Sequence, residues 1–323
     1  MTPDLLALLK LMGDHRFHSG ENLGQQLGVG RGAVWKRVSQ LRELGLEIES
    51  QAGQGYRLLS RVEPLNEQWI KDQLSAESDK LLKYLEILPE VDSTNLYLMR
   101  NLHRLPSGSA CLAEYQSGGR GRNGRHWISP YGNNIYLSLL WHYQNGAASL
   151  SGLSLALALA VVESLQTLDV EGLTIKWPND VLLNGRKLAG LLVEIQGDAA
   201  GELQIVAGVG VNVRIGASAA GKIDQPWAQL AHADQPIRRN QLAALLIEHL
   251  LLALELFTKK GFSGFSERWT QWDALSGSEV MIQGLNEIIT GTVLGVDGLG
   301  RLRLDTTQGE QLISGGEVSV RKA

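Results

Sequence analysis

A single cysteine among 323 residues, Cys111, excludes an internal disulfide framework and leaves no clustered thiols for zinc. The seven histidines show no HExxH-type spacing, so no structural metal is expected. Long apolar runs are also missing. The longest largely apolar stretch, residues 150–165, contains Ser and Gly, is cut by Glu163, and is shorter than the ~20 residues that span a bilayer; it predicts a buried helix. Near the start, Asp4 and Lys10 interrupt the apolar residues and no small-residue cleavage site follows, which argues against a secretory signal and for the cytoplasm. Internal repeats and low-complexity tracts are absent. Cys111 itself follows Ala110 in a predicted strand, where an inert buried position is expected.

What is present is an ordinary globular composition, 44% hydrophobic and 20% charged, in a chain long enough for two or three domains. Charge is uneven along it. Residues 1–62 hold eight Lys and Arg against six Asp and Glu, a net +2, while the whole chain carries −4, so the remainder carries −6. That asymmetry permits nucleic-acid binding by the first segment without establishing it.

The first segment predicts an amphipathic helix over 5–12. A second helix follows, with Ser19 as N-cap, Glu21 in its first turn, Leu23 and Leu27 on one face, and a stop at Gly28. A third runs over 31–44, where Val34, Val38 and Leu41 form an apolar stripe. Its other side carries Arg31, Lys36, Arg37, Ser39 and Gln40, the polar and basic groups that a helix-turn-helix offers to the DNA major groove. Strands at 46–50 and 56–59 flank a glycine-rich tip over 51–55, a hairpin that would serve as a wing. Gly30 and Gly32 are unfavourable inside a helix, by ~1 kcal/mol each relative to alanine, and leave the start of the third helix open.

Pro64 marks the end of this segment, since it lacks a donor and biases Glu63 towards an extended conformation. The expected domains are 1–63, 64–273 and 274–323. In the middle one, strands at 84–88, 110–115, 135–141, 174–177, 187–196 and 204–213 are interspersed with helices at 95–102, 151–167, 240–257 and 262–271. Consecutive strands without intervening helices predict a mixed, mainly antiparallel sheet with helices packed on it. The last segment shows short β-rich runs between turn signals at Gly284, Asp297-Gly298, Gly309 and Gly315-Gly316, the pattern of a small five-stranded barrel.

Three stretches carry candidate chemistry. Residues 116–127, Gln-Ser-Gly-Gly-Arg-Gly-Arg-Asn-Gly-Arg-His-Trp, formally contain the dinucleotide fingerprint at Gly119, Gly121 and Gly124. A Rossmann turn opens into an apolar helix, however, and here Ser129-Pro130-Tyr131-Gly132 continues the loop. Walker A is absent. What remains is a flexible loop bearing Arg120, Arg122 and Arg125, suited to carboxylate or phosphate, although composition equally allows a solvated basic loop. The second stretch, Lys176-Trp177-Pro178-Asn179-Asp180, leads through an Asn184-Gly185 hairpin signal to Lys187-Leu188-Ala189-Gly190, which would place Lys176 and Lys187 on neighbouring strands. The third, Asp92-Ser93-Thr94-Asn95, stands before a helix and is compatible with simple capping.

In this order and spacing the three blocks closely resemble the biotin protein ligase family. With a winged helix ahead and a small barrel behind, the resemblance spans essentially the whole chain and is to the bifunctional ligase and biotin-operon repressor type. It implies an α+β multidomain fold: an N-terminal winged helix-turn-helix, a central mixed sheet similar to class II aminoacyl-tRNA synthetases, and an SH3-like C-terminal barrel. It implies that Ser93, Thr94, Asn95 and Gln116 hold the biotin head group, and that Arg120, Gly121 and Arg122 close over biotin and its adenylate. Lys187 would face the biotin carboxylate and the α-phosphate, while Arg125, Lys176, Asn179 and Asp180 lie near ATP. Asn123 in the loop and Val181 after Asp180 are small departures.

The implied activity joins biotin to ATP as biotinyl-AMP and then to a lysine of a biotin carboxyl carrier protein, with Arg120, Arg122 and Lys187 as the catalytic cations and magnesium as metal. The implied partners are that carrier, operator DNA, and a second copy of the chain when biotinyl-AMP is bound. A biotin-sensing regulator without ligase activity would lack some of these cations. A lipoate or octanoate transferase is the nearest enzymatic rival, against which the arginine-glycine loop argues. A glycine-loop kinase is disfavoured because no His-Arg-Asp or Asp-Phe-Gly block occurs.

Overall fold

The computed structural model describes residues 1–198, 201–230, 237–284, 288–315 and 319–322. Its N-terminal domain opens with α1 (Pro3–Leu11), α2 (Gly20–Leu27) and α3 (Arg31–Glu43), followed by the antiparallel hairpin β1 (Ile48–Gln51) and β2 (Gly55–Leu58). Ser19 caps α2 by accepting from the Asn22 amide, and Gly28 ends it in the left-handed region at φ 64°. Gly30 is the N-cap of α3, and Gly32 lies in its first turn, so both sit at the frayed end where glycine costs least. Val34, Val38 and Leu41 enter a core with Leu8, Leu23 and Leu46, as the stripe predicts.

The central domain runs α4 (Glu67–Asp72), α5 (Ala76–Leu81), β3 (Tyr84–Leu88), α6 (Thr94–Arg100), β4 (Ser109–Ala113), β5 (Ile135–Tyr143), α7 (Leu153–Gln166), β6 (Leu173–Lys176), β7 (Asp180–Leu183), β8 (Arg186–Gly197), β9 (Leu203–Val211), α8 (Ala217–Ala220), α9 (Arg239–Lys260) and α10 (Ser266–Trp269). Seven strands form one sheet in the order β3-β4-β5-β9-β8-β7-β6, antiparallel except for β3 with β4. Strand alternation sorts its two faces. Leu137 and Leu139 of β5 join the core with α7 and α9, whereas Leu140 packs with Leu98 of α6 on the opposite side. The segments Ala147–Gln166, which contains α7, and Arg239–Gly264, which contains α9, are long and apolar enough to cross a membrane, yet both helices are packed into this core. The helix expected over 262–271 is broken, with a 3₁₀ turn at Gly261–Gly264 before the short α10.

The C-terminal domain is an antiparallel sheet of β10 (Glu279–Gln283), β11 (Ile288–Val296), β12 (Leu302–Thr306), β13 (Gly309–Ile313) and β14 (Ser319–Lys322), ordered β13-β12-β11-β10-β14. Five strands match the expected number. The turn signal at Gly316 lies outside the described residues.

Several contacts join the first two domains, among them Glu47 Oε1 accepting from the Ala217 amide at 3.0 Å. Tyr131 is buried in the N-terminal core, and its amide donates to the Leu44 carbonyl at 2.8 Å. The linker is anchored by a buried ion pair, Arg239 with Glu114 at 2.8 Å: Arg239 also donates to the Glu63 and Asn134 carbonyls, and Glu114 accepts from the Leu65 amide.

Candidate active site

The α6 face of the sheet is hollow where its strands carry glycine. Val206, Gly208 and Gly210 alternate along β9 on that face, and Gly190 stands opposite Gly210 on β8. A Cβ at Gly208 would lie 2.2 Å from Asn95 Oδ1, and one at Gly210 would lie 2.5 Å from the Trp127 ring. The missing side chains therefore admit α6 on one side and Trp127 on the other. The resulting cavity, about 490 Å³, is lined among others by Ser93, Gln116, Arg122, Trp127, Lys176 and Lys187.

At its inner end the α6 start is fixed by a buried polar network. Gln116 Oε1 accepts from the Thr94 amide (2.9 Å) and hydroxyl (3.2 Å), while its Nε2 donates to Ser129 at 3.0 Å. Ser138 donates to Asn95 Oδ1, and Asn95 Nδ2 donates to the Leu192 carbonyl and to Glu194 at 2.9 Å. Asn95 thus has both amide ends engaged and shapes the wall. Ser93 differs. It stands at the N-cap of α6 but its hydroxyl makes no cap bond, so capping does not account for it, and it lines the cavity.

The glycine-arginine loop crosses the open side. Gly119 is required by the loop's own return, since a Cβ there would meet the Trp127 carbonyl at 2.4 Å. Asn123 adopts the left-handed region at φ 55°, which asparagine tolerates, followed by Gly124 at φ 70°. No α-helix follows, which removes the dinucleotide reading. Arg120 pairs with Glu194 at 3.1 Å. Arg122 donates to Asn179 Oδ1 at 3.1 Å and to the Gly315 carbonyl at 2.8 Å, joining the loop to the C-terminal domain. Arg125 lines the cavity with its side chain exposed.

Lys176 and Lys187 do not occupy neighbouring strands as the hairpin signal suggests. The hairpin at Asn184-Gly185 joins β7 to β8, and β7 separates Lys176 on β6 from Lys187 on β8. They still share a face. Lys176 pairs with Asp180, and Asp180 with Gly190, so these three point the same way. Strict alternation would turn Lys187, three residues before Gly190, to the other side. A bulge resolves this: Val181 pairs with Ala189 but Leu182 pairs with Lys187, leaving Leu188 as the extra residue. Lys187 Nζ consequently lies 2.8 Å from Asp180 Oδ1 and 5.6 Å from the Trp127 ring centroid. That oxygen is enclosed, and its contact with the lysine lacks hydrogen-bond geometry, so it retains acceptor capacity.

Burial lowers the Lys176 pKa from its ordinary value, with Asp180 opposing the shift. Burial likewise lowers Arg122, again against Asp180, although a guanidinium stays charged. The cavity thus gathers cations around Asp180, with Asp224 also on its lining, opposite a pocket of neutral hydrogen-bonding groups. Trp127 and Glu194 were not among the residues expected from sequence; the Gly208-x-Gly210 alternation in an apolar strand is the signal that a ring packs there.

On the N-terminal domain, Arg31, Lys36 and Gln40 are exposed on α3 and Ser39 is partly so, its hydroxyl donating to the Trp35 carbonyl. Arg37 lies apart from them, paired with Asp4 of α1.

Comparison with known proteins places each part. The biotin/lipoate A/B protein ligase family matches residues 87–212, an HTH domain matches 4–57, and the biotin protein ligase C-terminal domain matches 275–321. The bifunctional ligase/repressor BirA of Escherichia coli is 39% identical over 98% of this chain and 97% of its own length. The protein of the same name from Bacillus subtilis is 31% identical over 98% of both. The structure of the biotin protein ligase from Aquifex aeolicus in complex with biotin and ATP covers 75% of this chain and all of its own, at 29% identity and a TM-score of 0.64. With such identity over nearly the full length of both chains, this chain belongs to the family of bifunctional ligase/repressors.

Proposed function

We propose that the chain is an ATP-dependent biotin protein ligase that also represses biotin-synthesis genes when biotinyl-AMP is bound. It comprises three domains over 1–63, 64–273 and 274–323, and it acts in the cytoplasm on a biotin carboxyl carrier protein. The observation that carries the reading is the single cavity in which Ser93, Thr94 and Gln116 stand at one end and Arg122, Lys176 and Lys187 at the other. A flat polar head group with an acyl tail and a nucleotide triphosphate need that polarity.

In the first step the biotin carboxylate attacks the α-phosphate of ATP, forming a P–O bond and expelling pyrophosphate. In the second, a carrier lysine amine attacks the carbonyl of the mixed anhydride and AMP leaves. No protein nucleophile is required. Negative charge develops on phosphate and carbonyl oxygens in both steps, and fixed cations already aimed at the site stabilise it without reorganising. Lys187, held on the site face by the bulge, orients the carboxylate against the α-phosphate. Lys176, Arg125, Asn179 and Asp180 serve the ATP side. Arg120, Gly121 and Arg122 close over the adenylate and exclude water from an anhydride that would otherwise hydrolyse.

Magnesium typically binds through one or two carboxylates together with substrate phosphates. The residues fit that mode: among the described residues no group of three or more His, Cys, Asp or Glu forms a cage, and Asp180 Oδ1 has capacity to spare. Asp180 would hold the ion, which would neutralise phosphate charge.

Ordering of the loop also carries information to the repressor. It favours pairing of two copies, and the two α3 helices then reach successive half-sites on operator DNA. Mass spectrometry of the chain incubated with magnesium-ATP and either biotin or octanoate tests the enzyme. Biotinyl-AMP alone is the expected product; absence of any adenylate from folded protein would leave a regulator without ligase activity.

A further inference from the structure

Around α3, at about 100° per residue, Arg31, Trp35, Ser39, Gly32, Lys36 and Gln40 follow one another across the half of the helix turned away from the core. Trp35 is 61% exposed, although a large aromatic ring is ordinarily covered at least in part. Nothing in the fold explains it. Val34, Val38 and Leu41 fill the core side, and Arg37 is drawn to Asp4 on the flank.

The surroundings select the occupant. Arg31 and Lys36 are exposed on either side of the ring, and no carboxylate occurs between Arg31 and Leu41. One turn before Trp35 and Lys36 is Gly32, where an added Cβ would meet nothing within 4 Å, so the fold does not require glycine there. A glycine in a helix without an internal reason permits close approach of another backbone. Cations, a bared helix start and an exposed apolar ring on one arc fit the floor of a DNA major groove, where thymine alone presents a methyl group.

We propose that Trp35 is a specificity-determining residue of the DNA-binding surface, packing its indole on the methyl of one thymine in each operator half-site. The proposal rests on the repressor reading and adds the base that is read. Arg31 and Lys36 hold phosphates on either side, and Trp35 supplies discrimination that these charges do not.

The test selects binding sites from a random-sequence duplex pool with the full chain, biotin and magnesium-ATP, and then replaces each thymine of the enriched motif by deoxyuridine, which removes only the methyl. One position per half-site is expected to weaken binding of the unaltered protein about fourfold, the value for one methylene-sized group leaving a contact. In Trp35→Ala the same replacement is expected to have no effect, and selection is expected to lose preference at that position alone; Trp35→Phe should retain part of it. An equal methyl effect in the parent and Trp35→Ala, or an unchanged motif in the variant, would overturn the proposal. If the parent enriches no sequence at all, the repressor reading itself fails and the inference falls with it.

Discussion

Replacing Glu114 by glutamine isolates one charge in the anchor between linker and ligase body. Glu114 and Arg239 are 7% and 4% exposed in their side chains and lie 2.8 Å apart, so water screens the pair little. Removing one member of such a pair typically costs about 3 to 5 kcal/mol, because the remaining ion is buried without its counter-charge. Here Arg239 keeps the carbonyls of Asn134 and Glu63, and a glutamine oxygen can still accept from the Leu65 amide. The loss should therefore fall near the lower end, about 3 kcal/mol. Urea unfolding of the full chain reads this as a lowered midpoint of the central-domain transition, and the Glu114→Gln/Arg239→Met double variant, which also gives up the Asn134 and Glu63 hydrogen bonds, should lose less than the sum of the two single losses. A single-variant change below about 1 kcal/mol, or strict additivity of the two substitutions, would refute the reasoning, because contacting charges must couple.

Lys187→Ala should slow adenylate formation about 100- to 1,000-fold, the usual effect of removing one preorganised charge-stabilising group and far more than it weakens folding; single-turnover kinetics and a thermal melt measure the two. Gly208→Ala forces a methyl onto Asn95 Oδ1, and biotin affinity measured by calorimetry should drop at least about tenfold. ATP affinity should weaken at alkaline pH earlier than an ordinary lysine would dictate, since the buried Lys176 loses its proton below the usual lysine value of 10.5; Lys176→Arg should flatten that fall in a binding titration. The accompanying stability change has the opposite sign. Between the lowered folded pKa and the unfolded value the unfolded chain binds more protons, so Lys176 contributes a rise in stability with pH across that window, and pH-dependent urea midpoints of parent and Lys176→Arg should diverge there.

Much of this was legible where a residue's local demand and its tertiary role coincide. Strand β3 was expected over its observed span, and the Asn184-Gly185 turn takes the left-handed conformations that its residues favour, φ 49° and 74°. The arginines, lysines and polar groups that line the cavity are named through the resemblance of their three blocks to a known family; by composition alone the arginine loop could equally be solvated, and residues 92–95 read as a helix cap. The rest was set by contacts far apart in the chain. Strand β7, four residues between Asn179 and the Asn184-Gly185 turn, is too short to read as a strand of its own, so the sequence places Lys176 and Lys187 one strand too close, and the bulge at Leu188 hides the face they share. Glu194, which holds both Asn95 and Arg120, sits in a run that reads as ordinary strand. Helices α4 and α5, of six residues each, are too short to show a period and are marked mainly by their caps, Asn66 and Ser75.

Tyr131 completes the N-terminal core from a loop that belongs to the ligase, and Pro130 lies against Gly45 so closely that a Cβ there would meet its ring carbon at 2.5 Å. Removal of the DNA-reading domain is consequently not a simple subtraction. It would bare a tyrosine and a proline only a few residues from Trp127, whose ring packs on Gly210 and shapes the cavity. An enzyme freed of its repressor would first have to be re-surfaced at residues 130 and 131, and loss of the genetic switch and retention of catalysis are separate steps only after that repair.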